Sequence, residues 1–337
     1  MLRAQTVVLA ASGVALFLAL GLPLPFLFGP LAACLIAALA GARMRGLSRA
    51  SVAARTILGV AVGASLTPTV LARVPSMAGS VALVPVYILL IGVIGVPFFR
   101  RLGGYDRVTA FFAAMPGGAS DMVIFGQAAG GNPRALSLIH ATRVLVIVVV
   151  APIVLTQGYG AALTNPIGAP AAAIPLDQLA LMALAALVGW GVAHRAGLFG
   201  AAILGPMIAA AVLTLAGLIH MRPPREALMS AQFLIGLGIG VQYSGITLGE
   251  LRRTVLLATA FMLLLAAIAA GFTEVVTLTG LANPVEAFLA FSPGGQAEMA
   301  MLAIITGADL GFVVTHHLTR LVLVLLGAPL LARILRD

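Results

Sequence analysis

Two stretches of twenty residues without a charged side chain limit what this chain can fold into. Ser80–Phe99 and Thr254–Thr273 are apolar, and each is long enough to cross a bilayer as a helix. Only 9% of the 337 residues are charged, whereas soluble domains carry about a quarter. Inside lipid every backbone polar group needs an internal partner, so only helices and closed barrels remain. Because the alternating segments of a barrel are absent, we predict an all-α polytopic membrane protein.

An internal repeat organises most of the sequence. With a shift of 177, residues 110–152 align on 287–329 without a gap, and 13 of 43 positions are identical. The identities fall mainly on Pro, Gly, His, Thr and Arg rather than on generic lipid-facing residues. We therefore predict two homologous repeats of about five to six hydrophobic helices each, at 1–156 and 178–337, joined by a linker at 157–177. Matched repeats occur in many transporters, with sites near the repeat interface.

Each repeat contains one Pro-Gly-Gly motif, MPGGASDM at Met115–Met122 and SPGGQAEM at Ser292–Met299. Proline in a helix interior costs about 3 kcal/mol and removes a hydrogen bond, and Gly-Gly permits backbone conformations closed to other residues. We predict a broken or re-entrant helix at each motif. The new helix start would offer N–H groups and a positive dipole end to an anion. A kink for close helix packing is the structural alternative.

The motifs also place ionisable residues at matched positions. An acid stands three residues after the second Gly of each motif, and a His-x-x-Arg pair follows about twenty residues later. The i, i+3 spacing puts His and Arg on one helix face, and a membrane Arg needs an acid or backbone carbonyls as its partner. Solute binding, proton coupling, helix capping and an ion-pair staple all stay open. The predicted substrate-binding or coupling residues are Pro116, Gly117, Gly118, Ser120, Asp121, His140, Arg143, Pro293, Gly294, Gly295, Gln296, Glu298, His317 and Arg320.

The distribution of Arg favours inverted repeats. If the motif segments enter and return without crossing, each half has five crossings, with 14 Arg inside and 3 outside. If they cross fully, the repeats are parallel and the ratio is 12 to 5. The positive-inside rule favours the first arrangement, with both termini on the cytoplasmic side. The segment after Arg3 lacks a cleavage site and is predicted to be the first span rather than a signal peptide.

Several functional classes find no support in the sequence. The net charge of +9 is scattered among short loops, so no direct nucleic acid binding is expected. The single Cys34 excludes a disulfide framework and a thiolate metal cluster. No metalloprotease, P-loop or nucleophile-elbow signature is present. We assign no catalytic residue, no metal and no cofactor, although a metal site assembled from the motif histidines and acids stays an alternative.

The paired motifs, each followed by His-x-Thr-Arg on a duplicated apolar chain, resemble the AbrB family of bacterial inner-membrane proteins. The resemblance covers nearly the whole chain. It implies a multi-pass protein of the bacterial inner (cytoplasmic) membrane, in a family tied to regulation of gene expression that also bears an ammonia monooxygenase label.

Our leading hypothesis is a transporter or permease with a site for a small anionic solute and protons at the repeat interface. The alternatives are a membrane-embedded regulator acting indirectly on gene expression and a metal-dependent monooxygenase. The expected partner is the lipid bilayer, and a homo-oligomer stays open.

Overall fold

The structure, a computed structural model, describes residues 2–22, 24–117, 119–198, 200–245, 247, 249 and 251–334. All regular structure in these residues is helical. Five helices among them are long and apolar enough to cross a membrane by length and composition: Leu2–Ala19, Pro75–Arg101, Pro133–Gly158, Leu176–Arg195 and Arg252–Leu278. Shorter apolar helices cover Pro25–Leu39, Ala201–Leu215 and Leu310–Val324. The predicted class, an all-helical chain with membrane-type helices, is confirmed.

The α-helices of the described residues fall on both sides of an irregular segment that contains one 3-10 turn, Ala171–Ala173. Before it lie α1 (Leu2–Ala19), α2 (Pro25–Leu39), α3 (Ser48–Gly63), α4 (Pro68–Arg73), α5 (Ala78–Val81), α6 (Leu83–Arg101), α7 (Arg107–Ala114), α8 (Ala119–Ala128) and α9 (Pro133–Ile153). After it lie α10 (Leu176–Arg195), α11 (Ala201–Leu215), α12 (Arg225–Val241), α13 (Leu256–Leu278), α14 (Pro284–Phe291), α15 (Gln296–Thr306) and α16 (Leu310–Ile334). A π-helical turn continues α9 over Val154–Gly158, and another precedes α13 at Leu251–Val255.

Helix bounds recur at the offset of the sequence alignment. Both α2 and α11 have 15 residues, and α11 begins 176 positions after α2. Both α7 and α14 have 8 residues, and α14 begins 177 positions after α7. Aligned segments of the two halves therefore form elements of equal length. The orientation of the halves in a membrane stays a prediction.

The chain folds into two compact units, and each unit combines segments from both sides of the linker. The first unit comprises Met1–Arg73, Leu163–Ile246 and Ile304–Gly311. The second comprises Val74–Ala162, Thr247–Ala303 and Phe312–Asp337. Both Pro-Gly-Gly motifs and both His-x-x-Arg pairs therefore belong to the second unit.

In the first unit, helices of the first half of the chain pack against helices of the second half at glycine residues. Gly59 of α3 lies against the carbonyl of Ile203 on α11, and Gly236 of α12 lies against the carbonyl of Leu27 on α2. A Cβ at either glycine would overlap that backbone oxygen. Small residues at such crossings let helix backbones approach closely, which is a frequent basis of helix association in membranes. Thus α3 packs on α11 and α12 packs on α2.

The linker is hydrogen-bonded within the first unit from residue 163 onwards. The N–H of Asn165 donates to the carbonyl of Ile305 at 3.1 Å, and the N–H of Ala171 donates to Glu226 Oε2 at 2.9 Å. Glu226 is exposed at the start of α12, outside the five long helices. Hydrogen bonds from its own N–H and from that of Ala171 lower the pKa of its carboxyl group.

An aromatic core positions the elements of the second unit. Phe99 of α6 contacts Phe261 of α13, with ring centroids 4.6 Å apart. Further along α6, Tyr87 makes edge contacts with Phe272 at 5.1 Å and with Phe291 at 5.6 Å. Such edge-to-face pairs contribute about 0.5–1.5 kcal/mol beyond their burial. They hold α6 against α13 and against the end of α14, next to the second motif.

Candidate functional site

Each Pro-Gly-Gly motif interrupts a helix. The first break lies between the end of α7 at Ala114 and the start of α8 at Ala119. The second lies between the end of α14 at Phe291 and the start of α15 at Gln296. The predicted breaks are therefore present in both halves. Whether these segments re-enter a membrane stays a prediction.

Three of the predicted site positions fall outside what the structure describes. They are Gly118 and the side chains of Ser120 and Asp121. Of the other motif residues, Pro116 and Pro293 are buried, and Gln296 is half-buried in the first turn of α15.

Polar caps fix the starts of the half-helices. The carboxylate of Asp106 accepts the backbone N–H of Thr109 at 2.8 Å, and the Thr109 hydroxyl accepts the N–H of Asn132 at 2.9 Å. Asn132 in turn caps α9, and Asn283 caps α14 by accepting the N–H of Glu286 at 2.9 Å. Caps of this type satisfy N–H groups that a helix start leaves without partners. The starts of α7 and α9 are thereby tied to each other.

His140 and Arg143, which we name the first clamp, bind the carbonyls that the first break leaves free. His140 Nε2 donates to the carbonyl of Phe112 at 3.0 Å. Arg143 Nη1 donates to Met115 at 2.9 Å, and Nη2 donates to Gly117 at 2.5 Å. A cation near the last carbonyls also suits the negative end of the helix dipole. The first clamp thus holds the end of α7 and the irregular backbone that follows it.

His317 and Arg320, the second clamp, bind the corresponding atoms of the second break. His317 Nε2 donates to the carbonyl of Leu289 at 2.9 Å. Arg320 Nη1 donates to Ser292 at 2.9 Å, and Nη2 donates to Gly294 at 2.8 Å. Sequence separations of 28, 28 and 26 residues are the same as in the first clamp. The two motifs therefore share one backbone arrangement and one means of stabilising it.

The sequence left open whether each Arg is paired with an acid or with backbone carbonyls. In the described residues the hydrogen bonds of Arg143 and Arg320 include two carbonyls each. The acid of the second motif, Glu298, is half-buried and interacts electrostatically with Arg143. A carboxylate from the second half therefore lies near the arginine of the first half. The side chain of Asp121, the acid of the first motif, lies outside what the structure describes.

The two clamps converge within the second unit. Arg143 interacts electrostatically with Arg320 and with Tyr87, and Tyr87 also interacts with Arg320. The Tyr87 hydroxyl donates to the carbonyl of Phe291, the last residue of α14, at 2.7 Å. Sequence reasoning missed Tyr87. The available signal was a phenol inside an apolar span, since a buried O–H usually requires a partner.

The clamps differ in one hydrogen bond. Arg320 Nη2 also donates to His317 Nδ1 at 2.7 Å. In the first clamp, His140 Nδ1 and Arg143 Nε are buried and have no hydrogen-bond partner among the described residues. The Nδ1 acceptor is therefore satisfied within the second clamp, whereas in the first clamp this acceptor and the Nε donor are both without a hydrogen bond among the described residues.

The spacing that the two motifs share has a packing reason. A Cβ at Gly117 would lie 2.6 Å from Met122 Cε, and a Cβ at Gly294 would lie 2.6 Å from Met299 Cε. Both methionines are fully buried. Each Met therefore covers the first Gly of its own motif, which explains why Met stands at the same offset in both copies.

The second Gly of the second motif makes room for an acid. A Cβ at Gly295 would fall on Oε2 of Glu298. Glu298 occupies the third position of α15, from which a Glu side chain reaches back toward the helix start. Gly295 thus allows the carboxylate to fold over the break, on the side where it interacts with Arg143.

The described residues contain no group of three or more His, Cys, Asp or Glu side chains placed to hold a metal ion. Helices of membrane type, interrupted twice and held by buried His and Arg side chains, define a polytopic helical protein with a paired broken-helix centre. The chain belongs to the AbrB family: the family described as "Transition state regulatory protein AbrB" matches residues 26–336. The resemblance inferred from the motifs is thereby confirmed.

Two relatives match most of the chain. It is 30% identical over 323 residues to "Putative regulator AbrB" of Escherichia coli (strain K12), an alignment that covers 94% of this chain and 91% of that protein. It is 27% identical over 295 residues to "Uncharacterized protein YhjN" of Bacillus subtilis (strain 168), covering 83% and 77% respectively. No solved structure matches the chain significantly.

Proposed function

We propose that the chain is a secondary transporter or permease of the bacterial inner membrane that binds a small anionic solute at its paired broken helices. The observation that supports this most is the convergence of Arg143, Arg320 and Glu298 in one compact unit. Broken helices whose ends point at a solute are a recurring device of secondary transporters. An ionisable residue inside a membrane segment usually marks a pathway or a site.

The charge balance of this centre favours an anion. Arg143 and Arg320 are only 4% and 5% exposed, and they repel each other electrostatically. Among the described residues, Glu298 is the acid that interacts with Arg143. A bound anion would offset the second positive charge, and the starts of α8 and α15 would add favourable N–H groups and dipoles.

The same geometry suggests how protons are coupled to the solute. An ionised Glu298 competes with an anionic solute for Arg143. Protonation of Glu298 would remove that competition, so that a proton and an anion bind together. Asp121 occupies the matched position of the first motif and would have the corresponding role toward the other arginine.

Two homologous repeats in inverted orientation complete the proposal. The equal helix bounds and the matching hydrogen bonds of the two clamps support a duplication. The Arg distribution favours inversion, with both termini in the cytoplasm. Inversion would bring the two helix starts toward the centre from opposite faces, which is an arrangement found in many transporters that use alternating access.

Uptake and efflux of small carboxylates in proteoliposomes test the proposal. The variants are Asp121→Asn, Glu298→Gln and the double variant, and Asp177→Asn at the exposed start of α10 is the matched control. We expect the double variant to lose proton-driven flux, whereas the control keeps it. Full proton-driven flux in the double variant would remove both acids from the mechanism.

The second candidate function is a membrane-embedded regulator that acts indirectly on gene expression. The family description and the name of the Escherichia coli relative favour it. It predicts no flux of any tested anion. It also predicts that transcript levels change in a deletion strain and that expression of the double acid variant returns them fully to the wild-type levels. The monooxygenase alternative has no support beyond the family label, and a purified active protein free of copper and iron would contradict it.

A further inference from the structure

The first clamp contains two buried polar atoms without hydrogen bonds among the described residues, and the second clamp satisfies the counterpart of one of them, His317 Nδ1. His140 is 0% exposed and Arg143 is 4% exposed, yet Nδ1 of the one and Nε of the other lack partners among the described residues. In the second clamp, Arg320 donates directly to His317 Nδ1. Buried polar atoms are almost always hydrogen-bonded, so two unpaired atoms in one clamp require an explanation.

The hydrogen bonds already made determine what each free atom can do. His140 Nε2 lies 3.0 Å from a carbonyl oxygen, which only accepts, so Nε2 bears the hydrogen. In the neutral ring Nδ1 then presents a lone pair and accepts. A positive charge on the ring is disfavoured because Arg143 lies on the same helix face, three residues away. Arg143 Nε–H can only donate.

One group that both donates and accepts would satisfy the two atoms together. A hydroxyl does so: its hydrogen points to His140 Nδ1 and its oxygen accepts from Arg143 Nε. An ionised carboxylate alone cannot, because it has no hydrogen to donate. The nearby arginines nevertheless favour a negative charge on the same molecule. These two requirements together describe a small carboxylate that bears a hydroxyl group.

We infer that the first clamp recognises the hydroxyl of a small hydroxylated carboxylate. The second clamp has a structural role, because Arg320 already donates to His317 Nδ1. This inference rests on the proposed transport function for the identity of the site, and it adds the class of solute. It also assigns different roles to residues that the duplication makes equivalent in sequence. His140 Nδ1 contacts the solute, whereas His317 Nδ1 accepts a hydrogen bond from Arg320.

Matched acids that differ by one hydroxyl test the inference in the full chain reconstituted in nanodiscs. The probes are lactate against propionate and glycolate against acetate, with binding measured by calorimetry at neutral pH. We expect the hydroxylated member of each pair to bind about tenfold or more tightly, because its analogue leaves buried polar atoms unpaired.

Two glutamine variants provide the specificity control. His140→Gln and His317→Gln each keep an N–H donor for the helix carbonyl but lose the Nδ1 acceptor. We expect the preference for the hydroxylated acid to vanish in H140Q and to persist in H317Q. The unfolding temperature without ligand should fall more in H317Q, which loses the bond from Arg320. Loss of stability alone would therefore not account for the result.

Three outcomes would overturn the inference: equal binding of the paired acids or no binding of either, an unchanged preference in H140Q, or an experimental structure with protein side chains bonded to both free atoms. If H140Q does not fold, that structure, determined for the wild-type chain with lactate, decides the matter. Flux of the acids without a hydroxyl preference would refute this inference alone. Hydroxyl-selective binding without flux would refute the transport function alone.

Discussion

Replacing Arg320 by Met should destabilise the protein more than the equivalent change at Arg143. Met is apolar, of similar length and without charge, so the substitution removes the hydrogen bonds while retaining most of the side-chain volume. Arg320 donates to Ser292, Gly294 and His317, whereas Arg143 has two such bonds in the described residues.

The expected magnitudes follow from the atoms that each substitution strands. A buried acceptor that loses its donor costs about 1–3 kcal/mol. Three acceptors at the second clamp would cost about 3–9 kcal/mol, and two at the first clamp about 2–6 kcal/mol. Removing a buried guanidinium also removes its desolvation penalty, which offsets part of these costs. We therefore expect about 3–5 kcal/mol for Arg320→Met, and about 1–3 kcal/mol less for Arg143→Met.

Reversible unfolding of the reconstituted chain in increasing SDS, followed by circular dichroism, measures the difference. Arg107→Met at the exposed start of α7 is the control, and it should change the free energy of unfolding by less than about 0.5 kcal/mol. Equal destabilisation by the two clamp variants, or a larger effect at Arg143, would refute the assignment of the second clamp as the more fully bonded one.

Three further predictions concern other parts of the chain. Gly236→Ala should destabilise the first unit by about 1–3 kcal/mol because its Cβ would overlap a carbonyl of α2, whereas Gly271→Ala, with open space around it, should be neutral or stabilising in the same unfolding assay. Glu226→Gln should remove a stabilisation that is present above the unfolded-state pKa and is lost as the pH falls through the lowered folded-state pKa; the unfolding temperatures of variant and wild type should converge in acid, and convergence on the alkaline side would contradict this sign. Gly295→Ala should displace the carboxylate of Glu298 and reduce proton-driven flux as Glu298→Gln does. Unchanged flux would show that proton coupling does not depend on the position of this carboxylate.

Composition and motif chemistry predicted the helices and helix breaks of this protein better than they predicted the hydrogen-bond partners of its buried His and Arg side chains. Uncharged apolar runs require helices, and Pro-Gly-Gly cannot continue one, so the helical class and both breaks followed from local rules. The i, i+3 spacing correctly placed His140 and Arg143 together on one helix. Spacing does not reveal which carbonyls lie opposite that face, because they belong to a segment 26 to 28 residues away. The sequence therefore favoured the motif acids as partners of the arginines, whereas the described hydrogen bonds of both arginines include backbone carbonyls.

Tyr87 shows a second limit of sequence reasoning. Its alignment partner at the 177-residue offset is Leu264, so the comparison of the halves gave it no weight. Only the fold places its hydroxyl on the carbonyl of Phe291 and near both arginines. A repeat reveals what the halves share, whereas departures from the shared pattern, such as Tyr87 and the free atoms of the first clamp, distinguish one half from the other.

The packing of helices from the first half against helices from the second half has a consequence for biosynthesis. Gly59 of α3 contacts Ile203 of α11, so the residue against which this early helix packs is synthesised about 140 residues later. At a synthesis rate of about 5–20 residues per second, that delay is roughly 7–30 s. During this interval the glycine-lined face of α3 lacks the helix against which it packs in the folded chain. The first unit therefore cannot complete its helix packing until the second half of the chain has been made, so α3 completes its packing late even though α3 is synthesised early.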